Sequence, residues 1–489
     1  MSAVAAGDGG RIFLTVALVS LVFLNPTIGT SVTSVSLDAA LTLVERGRWE
    51  VTDRHRLVFG HVDVARAGAV TVPAVPPGLA ALAIVPAAAA RAMVGPGLTL
   101  PELHALTTLA LGVTASALCA VQVAWLASWL GASRRARNAA ALLFAFGTPA
   151  FVFGTRLQKE TVAALAVIGA VRLALDGASR THCALAGLVA GAGALLTYPA
   201  GLAVPVVVVL VAARRGITDA ALAVAAAAAP LGGLAAYNTW LFGAPWRFGY
   251  HAMLVLPAGA RAASFTTPSA GTLAALLAHP RGGMLLYAPF LALGLPGMRA
   301  AWRAGRRLEA GATIGFAVAL WLLSAAWLST FAPLANGTIY LFVGAPLVAA
   351  FAALALEPPR SRVVAIVATA SVAVTYLVAQ AGHMADASPL IYALKTFVSG
   401  TGMSVLFKET LPRALGLETL HTLVARDDVT AADVLRRLAA GEAWRPVWNQ
   451  TVMLALNAAT LGAVGLLLRR LWSAPRPAAT PAAAPVAMR

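Results

Sequence analysis

The stretch HALTTLALGVTASALCAVQVAWLASWLGASRRAR, residues 104–137, decides the fold class. The run from His104 to Leu130 contains no Asp, Glu, Lys or Arg, and it exceeds the ~20 residues that a helix needs to cross a bilayer. Three arginines follow almost at once, at Arg134, Arg135 and Arg137. Because short loops rich in arginine remain in the cytoplasm, this stretch predicts a membrane crossing that ends inside the cell.

Similar apolar runs fill most of the chain, of which 60% is hydrophobic and only 11% is charged. A soluble protein carries about 25% charged residues. Orienting every run by its arginine-rich loops predicts about twelve spans with both termini in the cytoplasm. The predicted fold is an all-α polytopic membrane protein with a large first outer loop. Small-residue runs such as Ala225–Ala229, and GAGALL around Gly191, predict close helix packing.

The same loop rule divides the chain into segments. They are an N-terminal tail with the first transmembrane helix (1–31), an outer loop with juxtamembrane helices (32–103), a transmembrane core (104–381) containing a second outer loop (243–283), a C-terminal outer segment (382–450), a last transmembrane helix (451–468) and a disordered cytoplasmic tail (469–489). Within the first outer loop, Pro73–Met93 is predicted to be a juxtamembrane element on the outer side.

The net charge of +17 comes almost entirely from arginine. It has two interpretations: topology signals with attraction to anionic lipids, or groups that bind the phosphate of a lipid-linked substrate. Nucleic-acid binding is not expected, because no basic run lies on a soluble module. Cys119 and Cys183 lie inside apolar segments, as packed core cysteines do.

Two groups of polar residues are candidates for chemistry at the membrane surface. Asp38 lies on a predicted interfacial helix, where it is either a general base for an acceptor hydroxyl or a cap of the helix. Arg156 and Lys159 share a short outer connection with Glu160. These two cations either hold a phosphate leaving group or are interface anchors with snorkelling side chains.

The second outer loop carries an aromatic residue beside polar donors. Arg247, Tyr250 and His251 follow Trp246. They form either a platform for a sugar ring or an ordinary interfacial anchor. Arg281, with His279, stands just before the next span and is predicted to face the same cavity.

Four stretches, taken in order, resemble the GT-C superfamily of membrane glycosyltransferases. The resemblance is to the branch that includes protein mannosyltransferases and the bacterial aminoarabinose and galacturonic acid transferases. The stretches are SLDAALTLVERGRWEV (36–51), VDVARAGAVTVPAVPPGLAALAIVP (62–86), the run 109–175 with FGTRLQKETVAALA, and YNTWLFGAPWRFGYH (237–251) followed by HPRGGMLLYAP (279–289).

The resemblance implies a polyprenyl-phosphate-linked sugar donor, an outward-facing active site and a catalytic carboxylate in the first outer loop. Asp63 matches the family's "DVA" motif, so it stands beside Asp38 as a catalytic candidate, or else it fixes the loop through backbone hydrogen bonds. Two positions depart from the family. Val32 stands where members have an aspartate, and Ile339 stands where many have an arginine.

The implied function is transfer of a sugar to an envelope glycan, lipid or protein on the outer face of a bacterial plasma (inner) membrane. Membrane lipids are the other expected partners. No cofactor and no metal ligand is assigned from the sequence, and participation of a divalent cation stays open. Because of Val32 and Ile339, a non-catalytic relative remains an alternative, as does a lipid or sugar transporter.

Overall fold

The computed structural model describes residues 6–24, 28, 30–255, 265–280, 282–328, 337–358 and 362–381, with isolated residues between 458 and 469. Every statement below concerns these residues. The predicted site residue Arg281, the C-terminal outer segment 382–450 and most of the last predicted span lie outside them.

The described chain is built almost entirely from helices, which confirms the predicted all-α membrane fold. They are α1 (Ala6–Val22), α2 (Ser31–Arg46), α3 (Asp53–Phe59), α4 (Gly78–Val94), α5 (Leu100–Thr107), α6 (Thr114–Trp129), α7 (Arg134–Phe146), α8 (Ala150–Gly154), α9 (Lys159–Asp176), α10 (Arg180–Leu196), α11 (Ala203–Arg215), α12 (Ile217–Phe242), α13 (Ala270–Ala278), α14 (Met284–Tyr287), α15 (Gly294–Arg303), α16 (Arg307–Leu328), α17 (Gly337–Phe342), α18 (Ala345–Ala355) and α19 (Arg362–Ala381).

Five helical segments in the described part are long and apolar enough to cross a membrane. They are Gly78–Gly97, Leu100–Trp129, Tyr198–Arg215, Ile217–Phe242 and Arg307–Trp327. Shorter apolar helices accompany them at Arg180–Leu196, Ala345–Ala355 and Arg362–Tyr376. The chain is therefore a multi-pass membrane protein, and the number of about twelve spans stays a prediction.

The helices pack closely where the sequence places small residues, as predicted. A Cβ added to Gly187 of α10 would lie 1.9 Å from the carbonyl oxygen of Ala223 in α12. One turn further along, a Cβ on Gly191 would lie 2.7 Å from the carbonyl oxygen of Ala227. Only glycine lets the two backbones approach to this distance.

The first helix ends earlier than the predicted span, and the polar region begins with a helix of its own. α2 begins after Thr30, whose hydroxyl accepts a hydrogen bond from the Thr33 N–H, and it ends at Gly47 in the left-handed conformation. Its apolar face packs against α4 through Leu37, Leu41 and Leu79. α4, predicted as a juxtamembrane element, is itself long enough to span.

A short antiparallel hairpin, which the sequence did not predict, completes the first polar region. β1 (Val64–Ala67) pairs with β2 (Val70–Pro73). The loop after α12 joins the hairpin, because the Leu254 N–H donates to the Val64 carbonyl at 2.9 Å. Gly249 permits this approach, since a Cβ there would lie 2.4 Å from the carbonyl oxygen of Ala74.

Candidate functional site

Asp63 lies at the entrance of the hairpin in a conformation that few residues adopt. Its φ is 58°, in the left-handed region. Asp63 precedes β1 and Ala74 follows β2, and the two residues are paired because the Ala74 N–H donates to the Asp63 carbonyl at 2.8 Å. The hydroxyl of Ser31, the first residue of α2, donates a short hydrogen bond to its carboxylate Oδ2. Strained backbone held by its surroundings is typical of functional sites.

The surroundings of Asp63 change the acidity of its carboxyl group. Burial raises the pKa of Asp63 above its ordinary value, against the opposing effects of the Ser31 hydrogen bond, of the Lys159 charge and of His55. A carboxylate whose pKa rises towards working pH is suited to accept a proton. Asp63 is thus a desolvated carboxyl group within electrostatic range of a buried lysine.

Lys159 and Glu160 are the first two residues of α9, and both are almost fully enclosed. Their side chains are 4% and 2% exposed, and Lys159 Nζ lies 4.0 Å from Glu160 Oε1. The second carboxylate oxygen, Oε2, is buried and has no hydrogen-bond partner among the described residues. A buried charged oxygen without a partner is costly, so this atom is a candidate to bind a ligand.

The turn before α9 is fixed from α2. Leu157 adopts a left-handed φ of 54°, which is unfavourable for a bulky side chain. Its carbonyl accepts a hydrogen bond of 2.9 Å from the Thr33 hydroxyl. Ser31 binds Asp63, and Thr33 binds this turn. The first turn of α2 therefore joins the segment that carries Asp63 to the segment that precedes Lys159. The positive ends of two helices, α2 and α9, meet here, which favours an anionic ligand.

Tyr250 closes the site from the loop after α12. It packs with Val32 and Val64 in a small apolar cluster, and its ring lies 6.1 Å from that of Tyr198 and 5.5 Å from that of Trp327. Burial raises the pKa of Tyr250 well above its usual value, and the neighbouring Tyr340 and Asp63 act in the same direction. The phenol therefore remains protonated and can donate a hydrogen bond.

His55 on α3 supports the loop that carries Asp63. Its Nε2 lies 3.0 Å from the Val62 carbonyl, and its Nδ1 lies 2.9 Å from the Ser34 hydroxyl. Since a carbonyl only accepts, Nε2 carries the proton. Burial lowers the pKa of His55, which keeps the ring neutral. His55 is a positioning residue for the segment ending at Asp63.

Asp38, the other predicted catalytic carboxylate, lies elsewhere on α2. It is fully buried, and its oxygens accept hydrogen bonds from the Thr52 N–H at 2.6 Å and the Thr52 hydroxyl at 2.8 Å. Thr52 is the N-cap of α3, and Arg54 lies 3.8 Å from the carboxylate. These contacts are those of a carboxylate that secures the start of a helix.

The remaining predicted residues are distributed around this site. Arg156 is buried in the turn before α9, where its carbonyl accepts from His104 at 3.2 Å. Arg247 and His251 are exposed in the loop after α12, and the His251 ring stacks on Phe248. The structure thus brings Asp63, Lys159 and Tyr250 together. Asp38 instead holds the start of α3 through Thr52, and Arg247 and His251 are exposed on the loop after α12.

The fold with this site is similar to a known crystal structure, that of ArnT from Cupriavidus metallidurans bound to undecaprenyl phosphate. The TM-score is 0.50 at 16% sequence identity, and the similarity covers 94% of this chain and 72% of that one. The chain has a GT-C-like fold. At this identity the similarity concerns the fold alone. No protein-family model matches the chain, and no curated protein matches it.

This similarity confirms the predicted polytopic membrane fold, and membership of the GT-C superfamily and of its branch stays a prediction. The sequence pattern placed Glu160 beside Lys159 but predicted no functional role for its side chain. A charged pair at the start of an apolar helix was the available signal, because such residues are expensive in a span and tend to be functional. Among the described residues no three His, Cys, Asp or Glu side chains come together as a metal site.

Proposed function

We propose that this protein is a membrane glycosyltransferase that moves a sugar from a polyprenyl-phosphate donor to an envelope acceptor on the outer face of the membrane. The observation that carries the proposal is the partly buried carboxyl group of Asp63, which accepts a hydrogen bond from Ser31 at the start of α2 and lies within electrostatic range of the buried Lys159. It lies where the N-termini of α2 and α9 meet, in a GT-C-like fold. The similar protein ArnT was crystallised with undecaprenyl phosphate, which supports a polyprenyl phosphate as the lipid carrier here.

In the proposed reaction Asp63 is the general base. It accepts the proton of the acceptor hydroxyl as that oxygen attacks the anomeric carbon of the donor sugar. The bond between this carbon and the phosphate oxygen breaks, and polyprenyl phosphate leaves with the electron pair. A single displacement of this kind inverts the anomeric centre. The proton on Asp63 then passes to water.

Lys159 is proposed to stabilise the leaving phosphate. Its ammonium is almost fully enclosed, so it attracts a developing negative charge more strongly than an exposed lysine does. The positive ends of α2 and α9 act in the same direction. Glu160 Oε1 orients the ammonium from 4.0 Å. The buried and unpaired Oε2 is proposed to accept a hydrogen bond from a hydroxyl of the donor sugar.

This arrangement accounts for the two positions that depart from the family. Val32 stands where an aspartate is expected, and its neighbour Ser31 binds the Asp63 carboxylate. Asp63 therefore supplies a carboxylate beside the vacant position. Ile339 stands where an arginine is expected, and it packs against the hydrophobic core. Lys159 is proposed to supply the cation in its place.

The other predicted site residues are proposed to bind the acceptor or to support the phosphate subsite. Arg247 and His251 are exposed and are proposed to contact the acceptor at the rim of the site. Arg281, which lies outside the described residues, stays a predicted substrate-binding residue. Arg156 is proposed to support the phosphate subsite from the turn before α9. The proposed setting is the bacterial plasma membrane with both termini in the cytoplasm. The acceptor is an envelope glycan, lipid or protein.

The test is transfer of radiolabelled sugar by the purified protein from a panel of polyprenyl-phosphate donors. Release of free polyprenyl phosphate provides a readout that does not require the acceptor to be known. We expect Asp63→Asn, Lys159→Met and Glu160→Gln each to lower the rate strongly. Asp53→Asn is the matched control, because that carboxylate lies on the same outer loop and is 79% exposed. Equal rates for wild type and Asp63→Asn would refute the mechanism.

The same preparation separates the enzyme from the alternatives. Reconstituted vesicles that move a labelled polyprenyl-phosphate sugar across the bilayer without cleaving it would favour a transporter. Binding of the donor without release of polyprenyl phosphate, for every donor and acceptor in the panel, would favour a non-catalytic relative.

A further inference from the structure

A second group of polar side chains surrounds Trp129, at the end of α6. The guanidinium carbons of Arg214 and Arg306 lie 4.6 Å and 4.3 Å from the centre of its indole ring. Trp129 is only 7% exposed, while the Arg214 side chain, which reaches the ring from the surface, is 28% exposed. Two arginines on one buried ring bring like charges together, and such an arrangement needs anions nearby.

The nearby carboxylates are too few to neutralise the arginine side chains. Glu309 pairs with Arg214 at 2.5 Å, and Asp219 is shared by Arg215 at 3.1 Å and Arg180 at 3.3 Å. The two guanidinium groups on Trp129 thus have one carboxylate between them, that of Glu309. Within the described part of the chain, Arg306 forms no ion pair with an acid. We call Trp129, Arg214, Arg306 and Glu309 the Trp129 cluster.

The position of the cluster along the spans indicates where its missing anion would come from. The apolar helical segment Leu100–Trp129 ends at Trp129, Tyr198–Arg215 ends one residue after Arg214, and Arg307–Trp327 begins one residue after Arg306. Three potential membrane spans therefore end or begin at the same level. The ends of spans lie at the depth of the lipid headgroups.

We propose that the Trp129 cluster binds the phosphate of one anionic phospholipid headgroup. The planar guanidinium of Arg306, held against the ring, can donate two parallel hydrogen bonds to phosphate oxygens. Basic pockets between helices at the predicted cytoplasmic surface are suited to anionic lipid. This site lies at the opposite predicted face from Asp63, and it does not depend on the proposed reaction.

An internal comparison separates this cluster from an ordinary interfacial anchor. One turn earlier on α6, Arg172 stacks on Trp125 at 4.9 Å. This arginine has its partners already, since it pairs with Asp176 at 3.5 Å and donates to Gln122 at 3.0 Å. The two stacks share a helix and a chemistry, but only the Trp129 cluster has a surplus of positive charge.

The experiment is native mass spectrometry of the full-length protein in detergent, after delipidation and titration with phosphatidylglycerol or phosphatidylcholine. We expect phosphatidylglycerol to bind with preference, and Arg306→Gln to weaken it about five-fold, the effect of one basic residue near a membrane surface. Arg172→Gln should retain wild-type affinity. Glu309→Gln should bind more tightly, because it removes the competing carboxylate.

Three outcomes would overturn the proposal. The first is an equal loss in Arg303→Gln, an exposed arginine on the same connection, since that would indicate general surface charge. The second is displacement of the lipid by millimolar inorganic phosphate, which would indicate a site for a free anion. The third is unchanged affinity in Arg306→Gln. The melting temperature of each variant shows whether it is folded.

Discussion

Replacing Asp38 is the most direct way to separate a structural carboxylate from a catalytic one in this protein. The sequence presents Asp38 and Asp63 as equal candidates for the base. The structure gives Asp38 two short hydrogen bonds from Thr52, at 2.6 Å and 2.8 Å, in a position that is fully buried. We therefore expect substitutions at Asp38 to lower the stability of the protein and to leave the proposed reaction of the folded molecule intact.

The magnitude follows from these two bonds. A hydrogen bond to a charged group contributes about 1.5–3 kcal/mol, and a buried donor left without a partner costs about 1–3 kcal/mol. Asp38→Ala leaves the Thr52 N–H and hydroxyl without their acceptor and weakens the start of α3, so it should cost about 2–4 kcal/mol. Asp38→Asn keeps one acceptor oxygen and the shape of the side chain. It should cost about 1 kcal/mol.

The assay pairs thermal unfolding in detergent with donor turnover per folded molecule. The melting temperature should fall in the order wild type, Asp38→Asn, Asp38→Ala, while turnover by the folded fraction stays near wild type. A fall in turnover of a hundred-fold or more in Asp38→Asn at an unchanged melting temperature would show that Asp38 takes part in the reaction. Such a factor is typical of the loss of a general base, about 10²–10⁴.

Further predictions concern the site around Asp63. Asp63→Asn should lower donor turnover by about 10²–10⁴, and Asn tolerates the left-handed backbone observed there. The same variant should raise the melting temperature at neutral pH, measured by thermal unfolding. Burial raises the pKa of Asp63, so the folded state binds its proton more tightly than the unfolded state, and stability is lost as pH rises through that range. The acid limb of wild-type turnover should have its midpoint above the ordinary Asp value of 3.8, and a midpoint at or below it would contradict Asp63 as the base. Gly249→Ala should lower both turnover and the melting temperature, by about 1–3 kcal/mol in stability, because the new methyl group meets the Ala74 carbonyl; unchanged turnover would show that the contact between hairpin and loop is dispensable. Thr33→Val should lower turnover and reduce stability by about 1–3 kcal/mol, because it leaves the buried Leu157 carbonyl without its donor and releases the turn before Lys159; Ser36→Ala, whose hydroxyl binds the Val32 carbonyl, is its control and should leave turnover unchanged.

The fold was largely predictable because its signals are local. Apolar length and arginine-rich loops indicate membrane helices wherever they occur, and small-residue runs such as GAGALL indicated the close contact between α10 and α12. The hairpin was missed because each of its strands has only four residues. Strands this short give too few alternating positions to be recognised.

The site was only partly predictable, because its geometry depends on contacts between distant parts of the chain. Nothing in the sequence around Asp38 identifies Thr52 as its partner, so a base and a helix cap were equally reasonable interpretations. Asp63 and Tyr250 come together through the pairing of Val64 with Leu254. Arg247 and His251 share a loop with Tyr250, yet they are exposed while Tyr250 packs inwards, a difference that the loop sequence does not encode locally.

The distribution of backbone strain is the strongest reason to place function at Asp63. In the described chain, the two non-glycine residues with positive φ are Asp63 and Leu157. This conformation costs on the order of 1–2 kcal/mol for a bulky residue such as Leu157 and less for an aspartate, and each residue is held by a side chain from the first turn of α2, Ser31 in one case and Thr33 in the other. A helix that holds two separate segments in these conformations fixes Asp63, the proposed base, and the residues preceding Lys159 in one geometry before any ligand arrives. The proposed reaction requires groups positioned in advance in this way, because enzymes gain much of their rate from such positioning.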